Sequence, residues 1–404
     1  MAFPQPLDRS EFEIAIICAL QLEYDAVSLL FDENYNAEGD YYGRARGDTN
    51  SYATGRIGKY NTVLALLTEP GIINAASTTA NVLVSYNGIR LALLVGICGG
   101  VPEGGPKGQM LLGDVVVSSS IVQYGSGKQY PQGFASKRDM AGDSSGQPNK
   151  DIRTLIKTLG TVYNLKALKA RTAVLLRELQ DKSRRDDLDV SYTYPGTSED
   201  VLFPSSYRHK HHHLHALRCD CAKTHKDTDR VCDNALISTC VQLGCQRRRA
   251  LPRPRLQERG KLETLGDPAA QNPAICFGAV ASSDTVMKSA QHRDAIAAKT
   301  SVIAFEMEGA GVWVGVPCLV VKGVSDYADS HKGDKWQHFA AATAAAAAKA
   351  ILEWYPRTDR ASSWSSISSS SSPLSIFGGD QVNGDKFSGN KTVGDTIHGN
   401  KYTN

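Results

Sequence analysis

Short apolar runs punctuate this chain, and the stretches between them carry helical character. Residues 13–19, 61–68, 91–97, 114–122, 275–281 and 317–324 read as strands. Asn74 to Tyr86 and Trp336 to Trp354 read as helices, the second through an Ala344 to Ala348 run of maximal helix propensity. Alternation of this kind predicts an α/β fold, a three-layer α/β/α sandwich. Residues 137–271 break the pattern: Asp151 to Leu179 still looks helical, but from residue 209 onward the period is lost.

Two segments place acids where the apolar pattern ends. Phe305-Glu306-Met307-Glu308-Gly309-Ala310-Gly311 sets two carboxylates around a methionine before a small-residue helix start. Val320-Val321-Lys322-Gly323-Val324-Ser325-Asp326 leaves an acid where an apolar strand runs out. In open α/β sheets ligands sit at the carboxyl ends of strands, so Asp326 is expected to face a crevice. Burial there raises a carboxyl's pKa and lets it hold a proton, as a general acid requires. Glu306 and Glu308 suit another task, because ionised carboxylates accept from hydroxyls and the ribose 2′- and 3′-OH groups offer two donors. The same residues also fit an acidic helix N-terminus and a turn aspartate.

Together with two further blocks, these segments resemble the purine nucleoside phosphorylase and uridine phosphorylase superfamily, which also contains the methylthioadenosine/S-adenosylhomocysteine nucleosidases. The first block is Ile14-Ala15-Ile16-Ile17-Cys18-Ala19-Leu20-Gln21-Leu22-Glu23. The second is Leu93-Leu94-Val95-Gly96-Ile97-Cys98-Gly99-Gly100-Val101, followed by Gly113-Asp114-Val115-Val116-Val117. The resemblance covers residues 11–136 and 272–355 and is greatest to the fungal branch attached to NLR-type immune receptors. It implies a nucleoside phosphorylase-like sandwich with a mixed central sheet, spanning residues 11–355, and cleavage of the N-glycosidic bond of purine nucleosides or nucleotides.

Carried over residue by residue, the resemblance makes Asp326 the acid that protonates the purine, with Ser325 orienting its carboxyl. It makes Glu308 the ribose ligand, with Glu306 beside it, and Met307 the apolar floor under the sugar. Glu23 matches the carboxylate that orients the attacking water in the nucleosidases, and also fits an ordinary first-turn glutamate. Gly96, Cys98, Gly99 and Gly100 match the loop that approaches the nucleophile side of the sugar. The segment Gly278 to Val286, with Ser283, matches the base-lining loop, but Val286 stands where the nucleosidases place a stacking phenylalanine. Phe277 or Tyr327 is the expected substitute. The basic phosphate loop of the bacterial phosphorylases is replaced by Cys18-Ala19-Leu20-Gln21-Leu22, which favours hydrolysis over phosphorolysis. Phosphate stays open as a co-substrate through Arg44, Arg46, Arg56 and Lys59. No metal or organic cofactor is implied.

Composition changes this picture little. The chain has 404 residues, 41% of them hydrophobic, and a formal net charge of +3, which gives no electrostatic argument for a nucleic-acid partner. The apolar run from Ile14 to Leu20 is too short and too acid-flanked for a signal peptide, and no window reaches the roughly 20 apolar residues of a membrane span. Nine cysteines, several in apparent core strands, fit reduced thiols, so a cytoplasmic location without disulfides is the expectation. No membrane partner is expected, and a homo-oligomer is what the resemblance implies. Between 209 and 271, His209, His211, His212, His213 and His215 precede Cys219, Cys221, Cys232, Cys240 and Cys245. A zinc site is the lesser alternative here, since their spacing matches no Cys-x-x-Cys pair or finger pattern, and no metal set is assigned. A flexible insertion or a mistranslated stretch is the expectation for this segment.

Ten serines between Ser362 and Ser375 mark residues 356–377 as a disordered linker. After it a five-residue unit repeats five times over 378–402, with Gly379, Gly384, Gly389, Gly394 and Gly399 each followed by Asp or Asn. Each unit reads as a short strand plus a turn, and stacked copies from many chains would satisfy every backbone group. The tail resembles the amyloid signalling motifs of fungal NLR-associated effectors, which implies an NLR-type receptor as partner. Two rival readings stand beside the enzyme: a non-catalytic nucleoside-binding scaffold and a housekeeping purine salvage phosphorylase.

Overall fold

A nine-stranded mixed sheet runs through the computed structural model, which describes residues 4–131, 133–136, 148–212, 219–223, 229–313 and 315–357. The strands are β1 (Ile14–Cys18), β2 (Glu33–Asn34), β3 (Tyr52–Ile57), β4 (Tyr60–Leu66), β5 (Leu91–Gly100), β6 (Val115–Gln123), β7 (Gly127–Tyr130), β8 (Gly133–Ser136), β9 (Ile275–Ser282), β10 (Val302–Glu306) and β11 (Cys318–Asp326). Their order is β10-β9-β6-β11-β5-β1-β4-β3-β2, with β7 and β8 forming a separate hairpin. β1 lies parallel to both β4 and β5, and β5 parallel to β11, so these central strands are covered on both faces. That explains why β1 and β11 are buried at every position and read as unbroken apolar runs.

The sheet also curls. β10 pairs antiparallel with the end of β5, Ala304 opposite Gly100 and Phe305 opposite Gly99, while remaining parallel to β9. Five strands therefore close on themselves, and the ends of β5, β10 and β11 converge. Helix Gln337–Trp354 packs over β5 and β11 with helices Gln21–Ser28 and Val162–Arg185, while helix Ile72–Ser85 packs with the short helix Gly309–Val312. The alanine run of the long helix is wholly buried, and small side chains let its backbone approach the sheet closely.

The differences from the sequence expectation are local. The helical stretch 151–179 is two helices, Lys150–Leu159 and Val162–Arg185, parted at Gly160 and Thr161. Gly96 to Gly100 lies within β5 rather than in a loop, because the glycine pair continues the ladder with β10 and β11. The segment after residue 250 is built into the fold, against the expectation of a loose insertion. Arg255 and Arg259 of helix Pro254–Thr264 pair with the fully buried Asp114, and Arg253 pairs with Asp200 at 2.8 Å. The linker beyond residue 357 and the repeat at 378–402 lie outside the described residues. No helix among the described residues is long and apolar enough to cross a membrane.

Candidate active site

A cavity of about 220 Å³ opens where β5, β10 and β11 end beside the Ala19-Leu20 turn. Four carboxylates reach its wall, those of Glu23, Glu306, Glu308 and Asp326. Glu23 sits in the first turn of helix Gln21–Ser28 and folds back on the chain before it. Its Oε2 accepts from Ala19 N–H at 2.8 Å and Leu20 N–H at 3.0 Å, and its Oε1 from Ile97 N–H at 2.7 Å. This is possible because residue 96 is glycine: a Cβ there would lie 2.1 Å from Glu23 Oε1. Burial raises the Glu23 pKa, and the charge of Lys322 works against that rise.

Glu306 closes β10, and Glu308 caps the short helix that follows. Glu306 Oε2 accepts from the N–H groups of Glu308 at 3.0 Å and Gly309 at 2.8 Å. Its buried Oε1 has no hydrogen-bond partner among the described residues. Burial, and then the neighbouring Glu308 charge, push the Glu306 carboxyl from 4.5 up to about 7, against the pull of Lys322. Lys322 is the counter-charge of the whole group. It is 1% exposed and donates from Nζ to Glu308 Oε2 at 3.1 Å. Burial alone would lower its pKa, but the carboxylates of Glu308, Glu23 and Glu306 outweigh burial and hold it above the usual lysine range.

Asp326 stands on the other side of the cavity. Its Oδ1 accepts from Ala328 N–H at 2.8 Å, the Ser325 hydroxyl donates to its Oδ2 at 3.0 Å, and Lys332 Nζ lies 3.4 Å away. The Ala328 contact uses a left-handed backbone, φ +51°, which an alanine adopts only under constraint. Arg293 supplies that constraint by donating to Tyr327 carbonyl oxygen at 2.7 Å, and Tyr327 itself is tied to Asp200 and Arg253. Gly99 leaves the room, since a Cβ there would meet Ala328 Cβ at 2.8 Å and Asp326 Oδ1 at 2.9 Å.

A family model of the phosphorylase superfamily matches residues 13–353. The chain belongs to the phosphorylase superfamily. This superfamily member is 28% identical over 342 residues to a protein of Hyaloscypha variabilis named a nucleotide-binding leucine-rich repeat (NLR)-like protein. That alignment takes in 85% of the chain and 29% of the relative, so the chain spans less than a third of the relative's length. Among solved structures, a 5′-methylthioadenosine/S-adenosylhomocysteine nucleosidase from Helicobacter pylori aligns at 14% identity with a TM-score of 0.46, covering 85% of this chain and 98% of that one. A futalosine hydrolase from Helicobacter pylori aligns at 14% identity with a TM-score of 0.45 over the same shares of both chains.

Within this phosphorylase-superfamily domain the fold gathers most of the residues singled out from sequence. Asp326, Ser325, Glu23, Glu306, Met307, Glu308, Cys98 and Gly99 line the cavity, and Gly96 backs Glu23. Three others are not brought there. Gly100 packs against Val324 and Met110, Phe277 packs against the main core from β9, and Ser283 is buried beside Glu306 carbonyl oxygen, which accepts its N–H. Tyr327 is likewise buried away from the cavity in its bonds to Asp200 and Met110. The aromatic ring on the wall is Phe305, held edge-on by Tyr124 at 5.6 Å, with Val286 and Met287 beside it. Sequence reasoning gave no role to Phe305, Lys322 or Lys332. A lysine inside Val320-Val321-Lys322-Gly323-Val324 was the available signal, because an apolar strand tolerates a buried cation only against carboxylates.

Glu306 makes stability depend on pH. Its carboxyl keeps a proton in the fold between about pH 4.5 and about 7 that the unfolded chain has released. The penalty for the charged form is therefore full above about 7 and fades as pH falls toward 4.5, a span worth about 3 kcal/mol. Glu306→Gln should gain stability relative to the wild type as pH rises from about 5 to about 8. Urea denaturation at both pH values checks this, and a difference that does not change with pH would contradict it.

Proposed function

We propose that this cavity hydrolyses the N-glycosidic bond of a purine nucleoside. The convergence of four carboxylates in one cavity, with the buried Lys322 behind Glu308 and Lys332 beside Asp326, carries the reading. Glu308, fixed by Lys322, accepts the ribose hydroxyls, and the free Oε1 of Glu306 offers a further position for a donor. Met307 and Phe305 give the sugar and base an apolar wall. Asp326 gives its proton to the purine as the C1′–N9 bond breaks and the bonding pair leaves with the base. Water adds to C1′ and passes its proton to Glu23, so base and free ribose are the products.

The Ser325 hydroxyl suits this proton transfer. It lies 3.0 Å from Asp326 Oδ2 and 3.3 Å from Cys98 carbonyl oxygen. Its single proton can go to the carboxylate when Asp326 is ionised. When Asp326 is protonated, the hydroxyl can accept from the carboxyl and donate to the carbonyl.

Charge favours water over phosphate as nucleophile. Phosphate would bring negative charge into a cavity walled by carboxylates, where low dielectric magnifies repulsion. Arg44 donates to Asn50 carbonyl oxygen and Arg56 pairs with Glu33, and neither they nor Arg46 and Lys59 line the cavity. Adenosine incubated with the protein in phosphate buffer should yield reducing ribose and leave the phosphorus NMR spectrum unchanged. Accumulating ribose 1-phosphate would contradict hydrolysis.

We place this activity in an effector of NLR-type recognition, supported by the NLR-like name of the Hyaloscypha relative and by the repeat at 378–402. A receptor carrying a matching repeat would template stacking of the tail. Deleting residues 378–404 should abolish fibre formation seen by thioflavin fluorescence while leaving base release intact. Unchanged fibre formation by the truncated protein would remove the tail from the account.

A further inference from the structure

The fold brings together histidines and cysteines that their spacing along the chain keeps apart. His209, Cys240, Cys245 and His331 place one nitrogen or sulfur each within 4.8 Å of one another, although His209 and His331 are 122 residues apart in sequence. His211, Cys219, Cys221 and Cys232 form a second such group. We propose that each group holds one zinc ion, the first in a Cys2His2 site and the second in a Cys3His site.

All but one of the distances fit a tetrahedral ion. Zinc bonds of about 2.3 Å to sulfur and about 2.0–2.1 Å to nitrogen give tetrahedral edges of about 3.3 Å for N···N, 3.6 Å for N···S and 3.8 Å for S···S. In the first group the two Nδ1 atoms are 3.2 Å apart, Cys240 Sγ is 3.4 Å from His331 Nδ1 and 3.7 Å from His209 Nδ1, and Cys245 Sγ is 3.6 Å from His209 Nδ1. In the second group, Cys221 Sγ lies 3.7 Å from Cys232 Sγ, at the expected edge, and 3.3 Å from Cys219 Sγ, about 0.5 Å inside it.

The outer faces of the rings make the stronger case. His209 Nε2 lies 2.8 Å from Ser238 carbonyl oxygen, and His331 Nε2 lies 3.0 Å from Tyr207 carbonyl oxygen. A carbonyl only accepts, so each Nε2 carries the hydrogen, and in the neutral ring Nδ1 then points a lone pair inward. Two such lone pairs 3.2 Å apart repel unless a proton or a metal ion stands between them. Histidine ligands of zinc are held this way, with the second nitrogen donating to a carbonyl. Tyr207 stacks on His331 at 5.5 Å and 17°, which fixes the ring.

The segment also needs a staple. Between 219 and 245 the described residues form helices of only four or five residues, Asp220–Lys223, Asp233–Ile237 and Cys240–Leu243, too short to persist unaided. Their core is Cys221, Ala235 and Leu243, while Ile237 and Val241 stay exposed. No disulfide joins the cysteines. The first ion would tie this segment to His331, next to Lys332 on the cavity wall.

Elemental analysis of the full-length protein purified without chelator should find two zinc equivalents per chain. Replacement by Co(II) should produce visible bands of tetrahedral cobalt and thiolate-to-cobalt charge transfer, a readout independent of base release. Cys240→Ser should lose one equivalent and Cys221→Ser the other. Two equivalents retained in Cys240→Ser would overturn the first site, and two retained in Cys221→Ser the second. Wild-type protein that holds no stoichiometric metal and shows no cobalt bands would overturn both.

Discussion

Asp326→Asn should lower base release by about 10²–10⁴-fold, the usual contribution of a positioned general acid. The substitution keeps the oxygen that accepts from Ala328 N–H, and leaves an amide next to the Ser325 hydroxyl, so the strand end should hold its shape. What it removes is a group able to give a proton to the leaving base. The loss should therefore fall on kcat, with little change in KM, because no ribose contact is touched. A substrate whose base leaves without protonation, such as a nitrophenyl riboside, should be cleaved nearly as well by the variant as by the wild type. Equal losses on both substrates would show that Asp326 acts on the sugar or the fold rather than on the base.

Lys322→Met should destabilise the domain by about 3–5 kcal/mol, the cost of leaving buried charge without its partner. Lys322 is fully buried with its ammonium on Glu308, and it opposes the pKa rise at both Glu23 and Glu306. Without it the carboxylates must take up protons or remain as uncompensated charge. The loss should be larger at about pH 8, where Glu306 is ionised, than at about pH 5.5, where its protonation relieves it. Denaturant titration at both pH values measures this. Adding Glu308→Gln to Lys322→Met should recover part of the stability, since it removes one of the stranded charges. A single variant as stable as the wild type at both pH values would show that Lys322 is not the counter-charge of the site.

Much of the scaffold could be read from the chain because the central parallel strands are buried on both faces, which leaves unbroken apolar runs such as Ile14 to Cys18 and Cys318 to Val324. The strands that escaped reading are those without that signature. β3 carries Thr54, Gly55 and Arg56, and β10 is five residues ending in a glutamate that resembles a helix start. Asp326 was legible because it ends an apolar run, and Glu23, Glu306 and Glu308 because the blocks that carry them resemble a known superfamily. Phe305 was not, because an aromatic residue in a strand looks the same whether it faces a core or a ligand. The His and Cys groups were hidden for another reason: finger spacing describes local loops, whereas His331 arrives from the far side of β11, 91 residues from Cys240. Arg253, Arg255 and Arg259 fell inside the segment expected to be a flexible insertion or a mistranslated stretch, and only the fold shows their buried partners, Asp200 and Asp114, beside them.

The most direct test is chromatography of free base released from adenosine and inosine in phosphate-free buffer, by the wild type and by Asp326→Asn side by side. Release of purine by the wild type alone is the result this account predicts. Absence of release from either nucleoside, or release that Asp326→Asn leaves unchanged, would contradict it.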